Sequence, residues 1–340
     1  MDVSRFRTLA SRYKDLRVAV VGDFCLDRYL EIDPARKEIS LETGLEVYNV
    51  VNVRAQAGAA GTIVNNLAAL GVGTILPIGF AGEDGESLEL SRALEGTPGV
   101  RMRHFLKTGL RKTFTYCKPL VVARAKSPVE LNRLDFKNWD PTPASVQNLV
   151  AVEIAAAAKT VDAIIVLDQV DVPETGVITK GVLDEIRALH EANPNLLIVC
   201  DSRRGLADFP PVTFKMNARE LAAMTGMRET LSLDGIRHAA VALAVKQRQS
   251  IFVTLAERGM LAAHASGESE YAPALPVRGE IDVVGAGDSV TANLTVALAA
   301  GARGMEVLEI ANAAASVAVH KLGTTGTADI AEIDALVSGL

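Results

Sequence analysis

The sequence predicts an α/β protein of three layers, in which helices cover both faces of a central, mostly parallel sheet. Short runs of β-branched and other apolar residues alternate along the chain with helix-length stretches rich in alanine and leucine. Such alternation favours a parallel sheet, because each helix carries the chain back across one face of the sheet. With 340 residues, of which 49% are hydrophobic, the chain can bury one large core. We therefore expect a single domain over residues 1–340.

The predicted strands are short and apolar throughout, which is typical of strands that are buried on both faces. They are Val18–Val21, Ile75–Gly79, Ile164–Leu167, Leu196–Cys200 and Ile251–Leu255. The predicted crossover helices are Ser145–Ala158, Thr175–Ala192, Gly235–Lys246 and Met305–Leu322. Ligands bind at the carboxyl ends of the strands in such sheets. Polar residues that follow strand-like runs are therefore candidates for the site: Asp23, Asp168, Asp201, Asn217 and Asp288.

Two segments lack helical periodicity and predict a small β lid. They are residues 30–56 and 103–124, and they include the half-buried strand patterns Leu45–Val53 and Thr113–Cys117. The alternative is a plain edge hairpin.

Composition excludes several classes of function. A net charge of −6 without a Lys/Arg cluster argues against nucleic acid as a partner. No apolar run approaches the roughly 18 residues that span a membrane, and the N-terminus lacks a secretory signal, so a cytoplasmic protein is expected. Cys25, Cys117 and Cys200 predict buried, reduced thiols, and the five histidines show no metal-ligand spacing.

A glycine motif near the C-terminal end is the strongest chemical signal. Ile281–Val284 has the pattern of an apolar strand, Gly285-Ala286-Gly287-Asp288 follows it, and a helix is predicted over Val290–Ala300. Glycines allow close approach of the backbone to a ligand, and a helix N-terminus attracts anions. A carboxylate at such a position suggests proton or metal handling during phosphoryl transfer. The alternatives are a turn with Asp288 as helix cap, or a dinucleotide fingerprint, which is weak because Val290 stands in place of the third glycine.

Further motifs are spread over nearly the whole chain: Val20–Tyr29, Asn66–Gly71, Arg133–Phe136, Asn217–Glu220, Val253–Gly259, Asp282–Asp288, Ala311–Ala315 and Lys321–Thr324. In content and order these motifs resemble those of the ribokinase-like (phosphofructokinase-B type) carbohydrate kinases, with closest likeness to their bacterial heptose-phosphate kinase branch.

The resemblance implies an ATP-dependent kinase that transfers the γ-phosphoryl group to a sugar or sugar-phosphate hydroxyl. Asp288 would be the catalytic base, and the amides of Gly285, Ala286 and Gly287 would form an anion hole. Asn217 and Glu220 would hold Mg²⁺, through water. Asp282 would belong to a site for K⁺.

The resemblance also implies residues for the two substrates. The sugar would contact Asp23, Asp27, Gly58 and Asn66, and ATP would contact Asn217, Thr254, Glu257, Gly259 and Asn312. The lid would cover the sugar and form a homodimer interface. The family's Gly-Gly pair is Ala57-Gly58 or Gly58-Ala59 here, and Val284 replaces a common Thr.

The sequence is also compatible with two other functions. One is a nucleoside or vitamin kinase on the same fold, disfavoured by an aromatic content of 4%. The other is a regulatory protein that binds sugar or nucleotide without turnover. The 340 residues lack the His-x-Gly-His motif of a nucleotidyltransferase, and a nucleotidyltransferase activity is therefore not expected.

Overall fold

The computed structural model describes residues 1–123, 127–227, 232–323 and 325–338. The strands in these ranges are β1 Arg17–Gly22, β2 Phe24–Ile39, β3 Glu46–Ala59, β4 Thr74–Ala81, β5 Phe105–Lys107, β6 Phe114–Val121, β7 Val129–Glu130, β8 Leu134–Phe136, β9 Ala163–Asp168, β10 Leu197–Ser202, β11 Thr213–Asn217, β12 Ile251–Thr254, β13 Met260–Ala263 and β14 Ser269–Ala272. The α-helices are α1 Val3–Ala10, α2 Ala60–Ala69, α3 Gly85–Glu95, α4 Ala144–Ala158, α5 Lys180–Ala192, α6 Ala218–Thr225, α7 Leu233–Gln247, α8 Ala286–Ala299, α9 Met305–Val319 and α10 Ile330–Val337.

The larger sheet has nine strands in the order β14-β13-β12-β11-β10-β9-β1-β4-β5. Every pairing from β12 to β5 is parallel, and only β13 and β14 add as an antiparallel edge. The predicted α/β class with a mostly parallel sheet is thereby confirmed.

Two apolar cores lie on opposite faces of this sheet. Val18 and Val20 of β1 belong to one core, which includes side chains of α2, α8 and α9. Ala19 and Val21 point to the other, which includes side chains of α4, α5 and α7. Because successive strand residues face opposite sides, a fully apolar strand requires a helical layer on each.

The second sheet has the order β3-β2-β6-β7, with β8 paired to β6. It covers most of the predicted lid segments, and we call it the lid sheet. Phe105–Lys107, which lies inside the predicted segment 103–124, pairs instead with β4 at the edge of the large sheet. Arg124 lies outside the described residues.

Two local predictions were wrong. Ile281–Val284 forms no strand, and Ile281, Val283 and Val284 are exposed, because none of the strands in the described ranges pairs with this segment. The helix predicted from Thr175 begins at Lys180, since the side chain of Thr179 caps it by accepting from the Val182 amide.

Cys25, Cys117 and Cys200 are buried free thiols, as expected. Within the described ranges, no helix combines the length and the apolarity needed to cross a membrane.

Candidate active site

The glycine motif lies where α8 begins. Gly285 has φ +81°, a left-handed conformation that favours glycine, and it immediately precedes the helix. Ala286, Gly287 and Asp288 form the first turn, in which backbone amides lack intrahelical acceptors. We call residues 285–288 the phosphate loop. Its amides and the helix dipole are suited to bind an anion.

A buried lysine, which the sequence reasoning missed, lies beside this loop. A Cβ built on Gly287 would lie 3.2 Å from Nζ of Lys215, on β11. Lys215 is 6% exposed, and its Nζ donates to Asp201 Oδ2 at 2.8 Å. Thr291 of α8 donates to the same carboxylate oxygen, also at 2.8 Å. This network holds a positive charge against the loop that would receive phosphate.

The environment of Asp288 makes it a base near neutral pH. Burial raises the pKa of Asp288 to about 7, the charges of Asp201 and Asp27 add to the rise, and Lys215 opposes it. Burial lowers the pKa of Lys215, but the charge and hydrogen bond of Asp201 outweigh burial and raise it. The lysine is therefore a stable cation, whereas Asp288 can exchange a proton under ordinary conditions.

Asp27 lies on β2 on the lid side of the site. It is 5% exposed, and its Oδ1 lies 3.1 Å from Nζ of Lys118 on β6. Gly58 of β3 is directly opposite Cys25, and a Cβ there would overlap with Asp27 Oδ2. The absence of a side chain at Gly58 therefore makes room for the Asp27 carboxylate.

Asp23, for which a contact with sugar is predicted, accepts hydrogen bonds from three backbone amides. Its Oδ1 accepts from the Val177 amide at 2.7 Å, and its Oδ2 accepts from Gln169 at 2.9 Å and Val170 at 3.3 Å. Both oxygens thus hold the loop that follows β9. Asp168, at the end of β9, is likewise bonded to Ser202 and Arg204.

The side chains of Asn66 and Asn312, predicted to contact sugar and ATP, both donate to backbone carbonyls. Asn66 is fully buried in α2 and donates to the carbonyl of Thr62. Asn312 of α9 donates to the carbonyls of Ala272 and Pro273, both at 3.2 Å. These Nδ2 groups satisfy buried backbone carbonyls and so stabilise packing, while the predicted contacts of the two residues with sugar and ATP stay predictions.

Asn217 and Glu220 form the start of α6. The Asn217 side chain accepts from the Glu220 amide, and Glu220 Oε2 accepts from the Asn217 amide at 2.7 Å, which is a capping box. Each oxygen of Glu220 accepts one bond from Asn217, and so each retains a lone pair. Burial raises the pKa of Glu220. The pair is a helix cap that still has capacity for a hydrated cation.

The remaining predicted residues are Thr254, Glu257, Gly259 and Asp282. Thr254 ends β12 beside β11, and Glu257 is exposed in the following turn. Gly259 has φ +101°, and a Cβ there would overlap with backbone of the Ala272–Ala274 segment. The oxygens of Asp282 accept from the Val284 and Gly323 amides. Thr324, the last residue of the motif Lys321–Thr324, lies outside the described residues.

Sequence comparison finds a matching family model and similar proteins. Residues 183–331 match the model of the pfkB family carbohydrate kinases. The chain is 33% identical over 308 residues to the bifunctional protein HldE of Azorhizobium caulinodans, covering 90% of this chain and 61% of that protein. It is 31% identical to HldE of Pelobacter propionicus, covering 99% and 66%. The chain thus spans less than two thirds of the length of these relatives.

Solved structures show the same fold at lower identity. The Escherichia coli phosphofructokinase-2 in complex with potassium superposes with a TM-score of 0.71 at 18% identity, covering 95% of this chain and 99% of that one. An Arabidopsis thaliana ribokinase complexed with ribose and ATP gives 0.67 at 19% identity, covering 95% and 98%. The chain therefore has the ribokinase-like fold and carries, over residues 183–331, a pfkB family carbohydrate kinase domain.

Proposed function

We propose that this protein is an ATP-dependent kinase that transfers the γ-phosphoryl group to a hydroxyl of a sugar or sugar phosphate. One observation carries the proposal. Asp288, whose pKa is raised to about 7, lies in the first turn of α8 within the phosphate loop and next to the buried Lys215. A proton acceptor and a positively charged binding site for an anion therefore lie next to each other.

In the proposed reaction the acceptor hydroxyl lies beside Asp288. The carboxylate takes the hydroxyl proton as the oxygen bonds to the γ-phosphorus, and the bond from phosphorus to the ADP oxygen breaks. The amides of Gly285, Ala286 and Gly287 and the ammonium of Lys215 stabilise the negative charge on the transferred group. No covalent intermediate with the protein is required.

Magnesium would neutralise the phosphates of ATP when it is bound. Asn217 and Glu220 would hold it through water, since Glu220 keeps lone pairs beyond those used in the helix cap. A potassium ion near Asp282 is a further part of the proposal, supported by the potassium complex of the E. coli phosphofructokinase-2.

On the acceptor side we propose Asp27 as the sugar-binding carboxylate. It remains close enough to Asp288 to influence the pKa of that base. Carboxylate oxygens accept hydrogen bonds from paired sugar hydroxyls. An ATP-dependent reaction of this kind fits a cytoplasmic location.

We also propose a homodimer formed through the lid sheet. Exposed apolar side chains lie on β2, on β3 and in the connection between them: Ile39, Leu41, Leu45, Tyr48, Val50, Val51 and Val53. A second copy would remove this surface from water. Light scattering on the purified protein tests this, with Val51→Lys expected to give a monomer.

The experiment that tests the function is ADP release from MgATP over a panel of free and phosphorylated sugars, heptose phosphates and nucleosides. We expect acceptor-dependent release that Asp288→Asn abolishes. Release with nucleosides alone would favour a nucleoside kinase. Tight MgATP binding without turnover on any acceptor would favour a regulatory binding protein and refute the proposal.

A further inference from the structure

Gln56 faces the site from the lid sheet. It is directly opposite Asp27 across β2 and β3, and Asp27 is opposite Tyr116 across β2 and β6. Residues that pair across neighbouring strands project from the same face of a sheet. Gln56 therefore shares a face with the carboxylate that we assign to the acceptor.

A chain of polar contacts runs from Asp27 through Gln56 to the C-terminal part of the sequence. Lys118 Nζ lies 3.1 Å from Asp27 Oδ1 and donates to the Tyr29 hydroxyl at 3.4 Å. Gln56 Nε2 also donates to the Tyr29 hydroxyl at 3.4 Å, and it donates to Thr325 Oγ1 at 3.2 Å. Side chains of three lid strands are thus connected to Thr325.

Thr325 in turn packs against the phosphate loop. A Cβ built on Gly285 would lie 3.2 Å from Thr325 Cβ and 3.4 Å from its Cγ2. Gly285 is the residue whose left-handed conformation turns the chain into α8. Because the contact leaves little free space, a displacement of Thr325 also shifts the phosphate loop.

We infer that Gln56 and Thr325 are positioning residues that couple acceptor binding at the lid sheet to the conformation of the phosphate loop. The inference rests on the proposed function. A sugar hydroxyl that donates to Asp27 competes with Lys118 for that carboxylate and so rearranges Lys118 and Tyr29. Gln56 transmits this change to Thr325, and the loop adopts its phosphate-binding form with the acceptor in place.

Coupling between two binding sites is reciprocal. The acceptor therefore strengthens the binding of ATP, and ATP strengthens the binding of the acceptor by the same factor. Loss of one neutral hydrogen bond should reduce this factor by about threefold to tenfold. The affinity for ATP alone should stay within about twofold.

The test is a double-mutant cycle on this coupling factor. The variants are Gln56→Ala, Thr325→Val, which removes the hydroxyl but retains the shape that packs on Gly285, and the double variant. The probes are a non-hydrolysable ATP analogue with Mg²⁺, titrated by calorimetry with and without the sugar that gives the fastest ADP release. Gln56→Ala removes the bonds to both Tyr29 and Thr325, and Thr325→Val removes only the second. Because the two bonds lie in series in the proposed pathway, we expect the same loss in all three variants.

Asn52→Ala is the matched control. Asn52 lies on the same strand and face, and its Nδ2 donates to Glu31 at 3.0 Å, away from the phosphate loop. This variant should keep the wild-type coupling factor. Additive losses in the cycle, an equal loss in Asn52→Ala, or no coupling in the wild type would each overturn the inference.

Failure of the inference differs from failure of the proposed function. Absence of acceptor-dependent turnover in the wild type refutes the function. In that case, amide hydrogen exchange on the ligand-free protein tests whether Gln56 and Thr325 affect the phosphate loop. The inference is supported if exchange at residues 286–289 is faster in both single variants and no faster still in the double variant. Unchanged exchange overturns the inference.

Discussion

Lys215 donates to Asp201 at 2.8 Å, and this buried ion pair lies beside the phosphate loop. The pair joins two neighbouring parallel strands, β10 and β11, to the first turns of α8 through Thr291. The ammonium group of Lys215 provides a positive charge where phosphate would bind.

We predict that Lys215→Met lowers kcat by about 100-fold to 1000-fold, the range found when a transition-state contact is removed. It should also change the pH profile. Asp288 acts as a carboxylate, so kcat/KM of the wild type should rise with pH through about 7. Because Lys215 lowers the pKa of Asp288, its loss should move this rise to higher pH.

The single variant leaves Asp201 as a buried unpaired carboxylate, which endangers folding. Lys215→Met combined with Asp201→Asn removes both charges and is the matched control for stability. Its kcat should remain low, while the rise in its pH profile shifts less than in the single variant. A double variant with wild-type kcat would show that Lys215 is only structural.

Gly58→Ala should weaken acceptor binding selectively. The new Cβ would overlap with Asp27 Oδ2 and lie 2.8 Å from Cys25 Sγ, which forces the carboxylate to move. We expect a KM for the acceptor raised about tenfold or more and a KM for ATP changed less than about twofold. Gly85→Ala is the control, since nothing lies within 4 Å of a Cβ at Gly85. Equal effects on both substrates would contradict a role at the acceptor alone.

Asp23→Asn should destabilise the protein by an amount that depends on pH. Burial raises the pKa of Asp23 to about 6, so between about pH 4 and 6 the folded protein binds more protons than the unfolded chain. The contribution of Asp23 to stability therefore falls as pH rises through this window. The variant lacks this titration but loses acceptors for the Gln169, Val170 and Val177 amides.

The difference in unfolding free energy between wild type and Asp23→Asn should thus be about 2–3 kcal/mol larger at pH 4 than at pH 8. Urea denaturation at several pH values measures it. A difference that does not change with pH would contradict a raised pKa for Asp23.

Ala59→Gly should stabilise the protein, although glycine usually does the opposite. Ala59 has φ +53° immediately before α2, a conformation that strains residues with a Cβ. Relief of this strain should raise the free energy of unfolding by about 1 kcal/mol. Ala60→Gly, one position later inside the helix, is the control and should lower it. Equal destabilisation by both changes would exclude strain at Ala59.

The sequence predicted the α/β class and the position of Asp288 because both depend on local patterns. Apolar strands alternating with helices indicate a parallel sheet, and Gly285–Asp288 carries its own turn and helix start. Lys215 was missed because its significance depends on Asp201, which is adjacent only through the pairing of β10 with β11. Its one signal in the sequence is a lysine flanked by the apolar residues Phe214 and Met216, two residues before Asn217.

Motif residues with polar side chains were the least predictable. Asn66 and Asn312 are predicted to contact ligands, and the sequence did not predict that both side chains donate to backbone carbonyls. A sequence pattern gives the residue type and not the direction of its side chain. Likewise, the apolar run Ile281–Val284 has the composition of a strand, but none of the strands in the described ranges pairs with it.

The three buried thiols make the protein suited to measurements of local opening. Cys25 and Cys117 lie on neighbouring lid strands, β2 and β6, whereas Cys200 lies in β10 of the large sheet. Burial raises the pKa of all three thiols, so a maleimide reacts with each one only after the surrounding structure opens. Labelling rates at the three positions would therefore separate movement of the lid sheet from unfolding of the large sheet without any introduced cysteine.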